Sequence, residues 1–582
     1  MKSPVKSRVS SSVAQTSACS ITSVVLIITG LVWLLAVIKC FLLEYGAFES
    51  RHERNNAFIS NVLDKVPLQY LTDRYLVTQQ KLTTNINNNK NDISADPPPS
   101  LYDWLYIRSG EKVIPHIRSK PVELIEPSQD SLITAATNTH RLLEWPPVLA
   151  DGSVPAADGF DIMPFSGIKV PRFWQPQGDV LEIGSKVNGH ETIFLMIASY
   201  RDFQCKETIA SAFDRADHPE RLFIGAVDQL APGDTGLGCL DVEVPCAQKP
   251  DQPLCKYRSQ IAVYTMDATT ASGPVTARHI GDRLYRGQYF VMQMDAHCMF
   301  VRHWDTLLTG QFRSTGNEMA VLSSYLTDLQ GSIDANGDSL RDTRPIMCNS
   351  DFEGAMPARY LRHGAQPEEV PAIKEMPQLQ PYWAAGFSFS RGHFKVQVPY
   401  DAYQPMVFQG EEIAIGIRGF TYGYDFYAPR DSVVFHEYAA LSGRRKKVHM
   451  FWENQRFAGM GKKSLMRATG IIGMAPDLDP ALYDHTEEAK YGLGTGKLTR
   501  LLYSIYASHD YLLISAVRTK ELFYKLFLID TKARKAMPLC SFVRPGKMHR
   551  LFQPFLRADG RGIDYSRLET FDTLSQLPKK KT

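Results

Sequence analysis

The chain has 582 residues, with 65 Lys and Arg against 62 Asp and Glu, for a net charge of +3. A balance so even gives no electrostatic reason to expect nucleic acid as a partner. A hydrophobic fraction of 44 % is enough for a large core, and the length allows several domains or one large one with a tail.

The first predicted element is a membrane anchor. No charged residue occurs from Val9 to Ile38, and Ile21–Leu43 reads ITSVVLIITGLVWLLAVIKCFLL. About 20 apolar residues cross the hydrocarbon core, and Lys39 can snorkel to the interface. The stretch is too long for a signal-peptide core, and no small-x-small cleavage site comes after it. Lys2, Lys6 and Arg8 precede it, while Glu44, Glu49, Arg51, Glu53 and Arg54 after it nearly cancel. The positive-inside rule then predicts a type II protein, held in the membrane by one helix with the rest in the lumen. On that topology the terminal Lys579-Lys580-Lys581, which resembles a dilysine retrieval signal, is luminal and unread.

Residues 1–20 read as a cytoplasmic tail, 21–43 as the anchor, 44–186 as a luminal stem and 187–582 as one large domain. Asn85–Ser100 (NINNNKNDISADPPPS) has linker composition. Residues 101–180 hold Trp- and Pro-rich segments without periodicity, suited to wrapping the stem onto the large domain. No N-x-[S/T] sequon occurs.

From about residue 188 apolar runs alternate with helical stretches. Glu191–Tyr200, Arg221–Gln229, Gln260–Met266, Gln288–Asp295 and Ala320–Tyr325 read as strands. Pro274–Tyr285 reads as a helix, with Pro in its first turn and Ala277, Ile280 and Leu284 at helical spacing. The alternation predicts an α/β fold with a mainly parallel sheet, and ligands outside the carboxyl ends of its strands. No G-x-G-x-x-G or Walker A sequence appears.

Nine cysteines are present and no C-x-x-C. Cys239, Cys246 and Cys255 share one Gly/Pro-rich loop, which in an oxidising compartment reads as stapled by at least one disulfide. The seven cysteines after the anchor leave one odd. The basic run Arg444–Val448 (RRKKV) reads as a solvated surface patch.

Asp295-Ala296-His297 ends the fourth predicted strand. A carboxylate and an imidazole at i and i+2 can point toward one divalent ion such as Mn²⁺. On spacing alone the motif reads as a strand-end turn with a hydrogen-bonded His. Glu411-Glu412 reads as a pair of carboxylates able to accept sugar hydroxyls or stabilise an oxocarbenium-like centre, and equally as an acidic helix N-terminus.

Four segments together resemble the GlcNAc-transferases that act on polypeptide hydroxyls. They are IASYRD (197–202) with RLFIGAVDQ (221–229); GPVTARHIGDRLYRGQY (273–289); MQMDAHCMFVRHW (292–304); and QGEEIAIGIR (409–418) with TYGYDFYAPRDSVVFHEY (421–438). The family includes a cytoplasmic hydroxyproline-modifying enzyme and trypanosomatid Golgi enzymes that start mucin-type O-glycans. The resemblance covers roughly 190–455. It implies a GT-A-type nucleotide-diphospho-sugar transferase fold, with the catalytic domain spanning 187–582. It also implies a divalent cation at Asp295, His297 and His436, and catalytic roles for Glu411 and Glu412. Ser199, Tyr200, Arg201, Asp228, Gln229 and Arg278 would contact the nucleotide, and Trp383–Phe387 (WAAGF) would let the sugar approach the backbone. The activity implied is retaining transfer of GlcNAc from UDP-GlcNAc to Thr or Ser of a secretory polypeptide, by a single-pass type II protein of the Golgi membrane. Another donor such as UDP-Gal, a glycan acceptor, or a silent sugar-binding protein are the alternatives.

Overall fold

The computed structural model describes residues 160–176, 179–355, 359–445, 449–457, 459–476, 491–494 and 518–579. The predicted anchor and most of the predicted stem lie outside the described residues, and among the described residues no helix is long and apolar enough to cross a membrane.

The first half of the domain is built as its apolar runs predict. β1 (Ile193–Tyr200) leads to α1 (Cys205–Asp214), β2 (Leu222–Leu230), β3 (Ile261–Asp267), α2 (Pro274–Asp282) and β4 (Phe290–Asp295). β1, β2 and β4 are buried along nearly their whole length, as strands covered on both faces must be. Continuous apolar sequence, rather than alternation, is the signature of such strands. α2 starts at Gly273, whose φ of 101° favours glycine, with Pro274 next at the first helical position. It ends at Asp282, three residues before the predicted limit.

The chain continues through β5 (Cys298–Phe300), α3 (Trp304–Ser314), β6 (Ala320–Ser323), β7 (Gln378–Leu379), β8 (Phe387–Arg391), α4 (Glu411–Thr421), β9 (Asp425–Ala428), β10 (Val434–His436) and α5 (Met460–Ile471). The main sheet has eight strands in the order β7-β9-β6-β8-β4-β1-β2-β3. It is mixed rather than mainly parallel. β1, β2, β3 and β4 run parallel, as do β6 and β9, but β8 pairs antiparallel with both β4 and β6 and β7 antiparallel with β9. Inserting one reversed strand lets β8 leave its WAAGF segment beside the carboxyl end of β4.

Residues on both flanks join this core. Met163, Val170, Trp174 and Val180 are buried on the amino-terminal side, and Phe523, Leu526, Phe542 and Phe552 on the carboxyl side.

Three disulfides hold the described cysteines. Cys246–Cys255 staples the loop as expected, Cys205–Cys239 ties that loop to the start of α1, and Cys348–Cys540 spans 192 residues. The odd cysteine is Cys298, free and buried. Closing a loop as long as Cys348–Cys540 stabilises by about 5 kcal/mol in the chain-entropy picture. A Cys348→Ser, Cys540→Ser double variant should therefore melt several degrees lower. Non-reducing peptide maps should show the three pairs, and native alkylation of Cys348 would overturn the pairing.

Candidate active site

The parallel strands β1, β2 and β4 deliver the chemistry at one edge. Their register sets Ser199 beside Asp228, Tyr200 beside Gln229, and Ala198 beside Asp295. Asp295 closes β4, and the chain turns through Ala296 and His297 into β5. The Thr208 hydroxyl of α1 pins that turn, donating to the Ala296 carbonyl at 2.8 Å and accepting from the Cys298 amide at 3.0 Å. β10 pairs antiparallel with β5 and places His436 opposite Cys298. The Glu437 amide also bonds the His297 carbonyl at 2.9 Å. This register brings the His297 and His436 rings to 4.4 Å between centroids, nearly perpendicular.

One ligand atom each from Asp295, His297 and His436 lies within 4.8 Å of the others. The donor set fits a divalent cation in three respects. The Nδ1 of His297 faces the Asp202 carboxylate at 2.8 Å, the carboxylate–histidine pairing that fixes a ligating ring and leaves Nε2 for an ion. His436 directs Nε2 at the second oxygen of Asp295, 3.4 Å away. Burial pushes the His436 pKa below its ordinary value, against the raising effect of Asp295, so the ring is held neutral as a ligand must be. Burial disfavours the charge on Asp295, yet His436 and Arg278 hold its carboxyl well below the usual range.

Asp202 closes the IASYRD segment, but the sequence assigns it no role, and only the fold brings it into the candidate site. Burial works against its ionisation, but the His297 hydrogen bond and Arg445 bring its pKa down to about 2. Arg445 donates to both Asp202 oxygens, at 3.0 and 2.9 Å, and to Gln204 at 2.6 Å. Within the basic run, Arg444 is exposed as composition predicts, but Arg445 is not, and residues 446–448 lie outside the described residues. Arg445 is only 5 % exposed, and Arg444 is paired with Glu437 and Glu207. Charge runs signal exposure only when no acidic partners are folded beneath them, and these partners lie over 230 residues away in sequence in two of three cases.

A second cluster adjoins the first. Arg278, on α2, donates to Asp295 at 2.7 Å and to Glu411 at 2.5 Å, so its two terminal nitrogens join carboxylates rather than pointing freely at a ribose or diphosphate. Glu411 begins α4 and also accepts from the Tyr400 hydroxyl at 2.7 Å. Tyr400 in turn accepts from the Gln293 amide at 2.8 Å. Glu412 accepts from the Tyr325 hydroxyl at 2.7 Å and from the Ala385 amide at 2.9 Å. Burial pushes Glu412 up to about 7. Gly386 sits where a Cβ would stand 3.3 Å from the Asp295 carboxylate. WAAGF is therefore both a packed segment, with Trp383 and Ala384 buried, and a close backbone approach to both acidic groups.

At the ends of β1 and β2, Asp228 is buried and accepts from the Cys239 amide at 2.8 Å. The Gln229 amide donates to the Ser199 carbonyl at 2.8 Å. Arg201, at φ 51°, forks onto Asp234 at 2.8 and 2.7 Å. Tyr200 is half-buried beside it.

The glycosyltransferase (GlcNAc) family model matches residues 192–244 and 234–500, more than half of the chain and the span that carries every one of these groups. The chain belongs to the glycosyltransferase (GlcNAc) family. It is therefore a transferase with an α/β glycosyltransferase-like fold around a large mixed sheet. No curated protein matches the chain. Among solved structures, GalNAc-T7 with UDP, GalNAc and Mn²⁺ aligns at 14 % identity over 63 % of this chain and 70 % of that one, with a TM-score of 0.34. The TarS fragment 1-349 from S. aureus aligns in complex with UDP at 10 % identity and in complex with UDP-GlcNAc at 12 %. Both cover 50 % of this chain and 68 % of the other, with TM-scores of 0.28.

Asp228 allows a test of the transferase's buried charge. Burial, opposed by the Cys239 amide, pushes its pKa from 3.8 up to about 7. A folded-state pKa above the unfolded value means that the folded chain binds more protons between the two. The stabilising contribution is full below 3.8 and lost as pH rises through 7. Asp228→Asn removes that dependence. Its unfolding free energy should exceed the wild type's by a margin that grows from pH 5 to 7 and levels off above, approaching about 4 kcal/mol if nothing relaxes, with the melting temperature rising in step. A margin that shrinks with rising pH would show that the carboxylate is stabilised where it sits.

Proposed function

We propose that this transferase has a GT-A-type catalytic domain and moves GlcNAc, with retention, from UDP-GlcNAc to Thr or Ser hydroxyls of secretory, mucin-like polypeptides. The observation that carries the reading is the continuity of two clusters: Asp295 belongs to the three-ligand group with His297 and His436, and reaches Glu411 through the single guanidinium of Arg278.

In this mechanism Asp295, His297 and His436 would hold a divalent cation, Mn²⁺ or a similar ion, which would supply positive charge to neutralise a departing diphosphate. Asp202 and Arg445 orient His297. Ser199, Tyr200, Arg201, Asp228 and Gln229 form the wall at which the uridine docks. Arg278 couples the two clusters electrostatically. Glu411, held by Arg278 and Tyr400, accepts hydroxyls of the transferred sugar and faces the positive charge that develops at its reacting carbon. Glu412, positioned by Tyr325 and Ala385, supplies a second carboxyl near neutrality. With a diphosphate as leaving group, positioning and preorganised charge supply most of the rate.

The test is a donor screen. Full-length enzyme with Mn²⁺ and a Thr-rich peptide should transfer GlcNAc from UDP-GlcNAc faster than other sugars from their UDP donors. Preference for another sugar reassigns the donor, and sugar binding without turnover makes the chain a binding protein. The Golgi type II placement rests on the charge asymmetry about residues 21–43. Protease added to sealed microsomes should leave a C-terminal tag intact, and its digestion without detergent would reverse the topology.

A further inference from the structure

A cleft of about 470 Å³ opens beside the start of α4, between the segment leading into that helix, α5, and the strand Tyr360–His363. Val407 and Leu465 contribute aliphatic surface to it, and Gly354 and Gly461 contribute backbone. Gly410 (φ 93°) stands so close to Leu465 that a Cβ would lie 2.7 Å from its Cδ1. The chain can pass this wall only as glycine. The polar side chains on the lining are those of Gln409, Tyr360 and Lys462, and no carboxylate lines it among the described residues.

One lip is aromatic and open. Phe408, 54 % exposed, lies 6.2 Å from Phe451 and 6.1 Å from Trp452 between ring centroids, and Trp452 is 52 % exposed. The lip and the lining each adjoin an element of the candidate active site. Phe451 packs where a Cβ on Gly273, the cap of α2, would stand 3.1 Å from its ring. Gln409 is two residues from Glu411, a distance of about 7 Å at full extension. Large exposed aromatic surface beside a cavity marks a binding site more often than a solvent face.

We infer that this cleft is the acceptor subsite, and that its occupant is an extended polypeptide presenting small, uncharged apolar residues about two positions from the reacting hydroxyl. The inference rests on the transferase reading above and adds what lies on the acceptor side. The lining decides between peptide and glycan. A sugar buries several hydroxyls, each needing a hydrogen-bond partner, and among the described residues only Gln409, Tyr360 and Lys462 bring polar side chains to an otherwise apolar or glycine lining. A peptide instead offers apolar side chains to Val407 and Leu465, while Gln409 and Tyr360 can meet its backbone. The spacing also fits: an extended chain advances about 3.3 Å per residue, so two residues bridge from Glu411 to the cleft.

The experiment separates the cleft from the donor site. A labelled Thr peptide flanked by Val and Ala is titrated into full-length enzyme and followed by anisotropy, while hydrolysis of UDP-GlcNAc by water reports donor turnover. Phe408→Ala, at an exposed position, and Leu465→Asn should each weaken peptide binding about 10-fold, the effect of losing one buried apolar contact. Both should leave hydrolysis unchanged. A peptide with Lys flanks, opposed by Lys462 and given no carboxylate on the described lining, should bind the wild type as weakly as the Val/Ala peptide binds the variants. Equal peptide affinity in wild type and both variants overturns the proposal. So does an oligosaccharide that displaces the peptide and loses affinity in the same variants, which would assign the cleft to a glycan. Absence of both hydrolysis and transfer with every UDP-sugar would defeat the donor reading above, while the anisotropy still decides what the cleft binds.

Discussion

Asp295→Ala should lower sugar transfer by about 10³-fold or more and abolish the Mn²⁺ dependence of UDP binding, while the protein remains folded. Asp295 sits at the carboxyl end of β4 rather than inside the core, and its loss leaves Arg278 still paired with Glu411 at 2.5 Å. The buried guanidinium therefore keeps one carboxylate, and the full penalty of an unpaired buried charge, about 3–5 kcal/mol, does not arise. Glu411→Gln provides the contrast. It leaves the three ligand atoms in place and removes a carboxylate from the sugar side. Metal-dependent UDP binding should persist while transfer falls. Calorimetric titration of UDP with and without Mn²⁺, run on wild type and both variants, reads the two effects separately. Unchanged metal-dependent binding by Asp295→Ala would return the Asp-x-His to a strand-end turn.

Interaction range separates the legible parts of this fold from the rest. β1, β2, β3 and β4 are buried on both faces over most of their length, so each carries an unbroken apolar run that needs no knowledge of its neighbours. The Asp-x-His is a local motif and is visible as such, but the third group that completes a candidate ligand set, His436, arrives 139 residues later through the β5–β10 register. The antiparallel insertion of β8 is not legible. Its sequence, FSFSR, alternates apolar and polar residues although all five are buried, and alternation alone does not fix direction, which is set by its pairing with both β4 and β6. Arg445 is hidden for the same reason. Its neighbours in sequence are basic, and only the fold places the Asp202 carboxylate beneath it. Tyr400 and Tyr325 carry no motif at all, and their roles appear only as hydroxyls bonded to Glu411 and Glu412. The Cys239 pairing shows the same limit: the stapled loop is local, but Cys239 reaches out of it to Cys205.

Asp202→Asn should raise the Mn²⁺ concentration needed for half-maximal transfer by about 10- to 100-fold, the usual consequence of losing the partner that orients a ligating histidine. The cause is specific. Asp202 receives His297 Nδ1 at 2.8 Å and Arg445 at 2.9 Å, so one carboxylate fixes the tautomer of the ring and neutralises a buried guanidinium. An asparagine can keep the shape but not the charge. Its amide can turn nitrogen or oxygen toward His297, and the preference for a free Nε2 is lost. Saturating Mn²⁺ should restore most of kcat, because Asp202 touches neither donor nor acceptor in the proposed mechanism. Arg445→Lys should fall between wild type and Asp202→Asn, since all three contacts to Asp202 and Gln204 come from the one nitrogen Nη1, which an ammonium can imitate only on a differently shaped, more strongly hydrated head. A merely structural role predicts something else: a lower melting temperature and a lower kcat at every metal concentration, with the Mn²⁺ midpoint unmoved. That pattern would remove Asp202 from the metal site and leave it as the buried partner of Arg445.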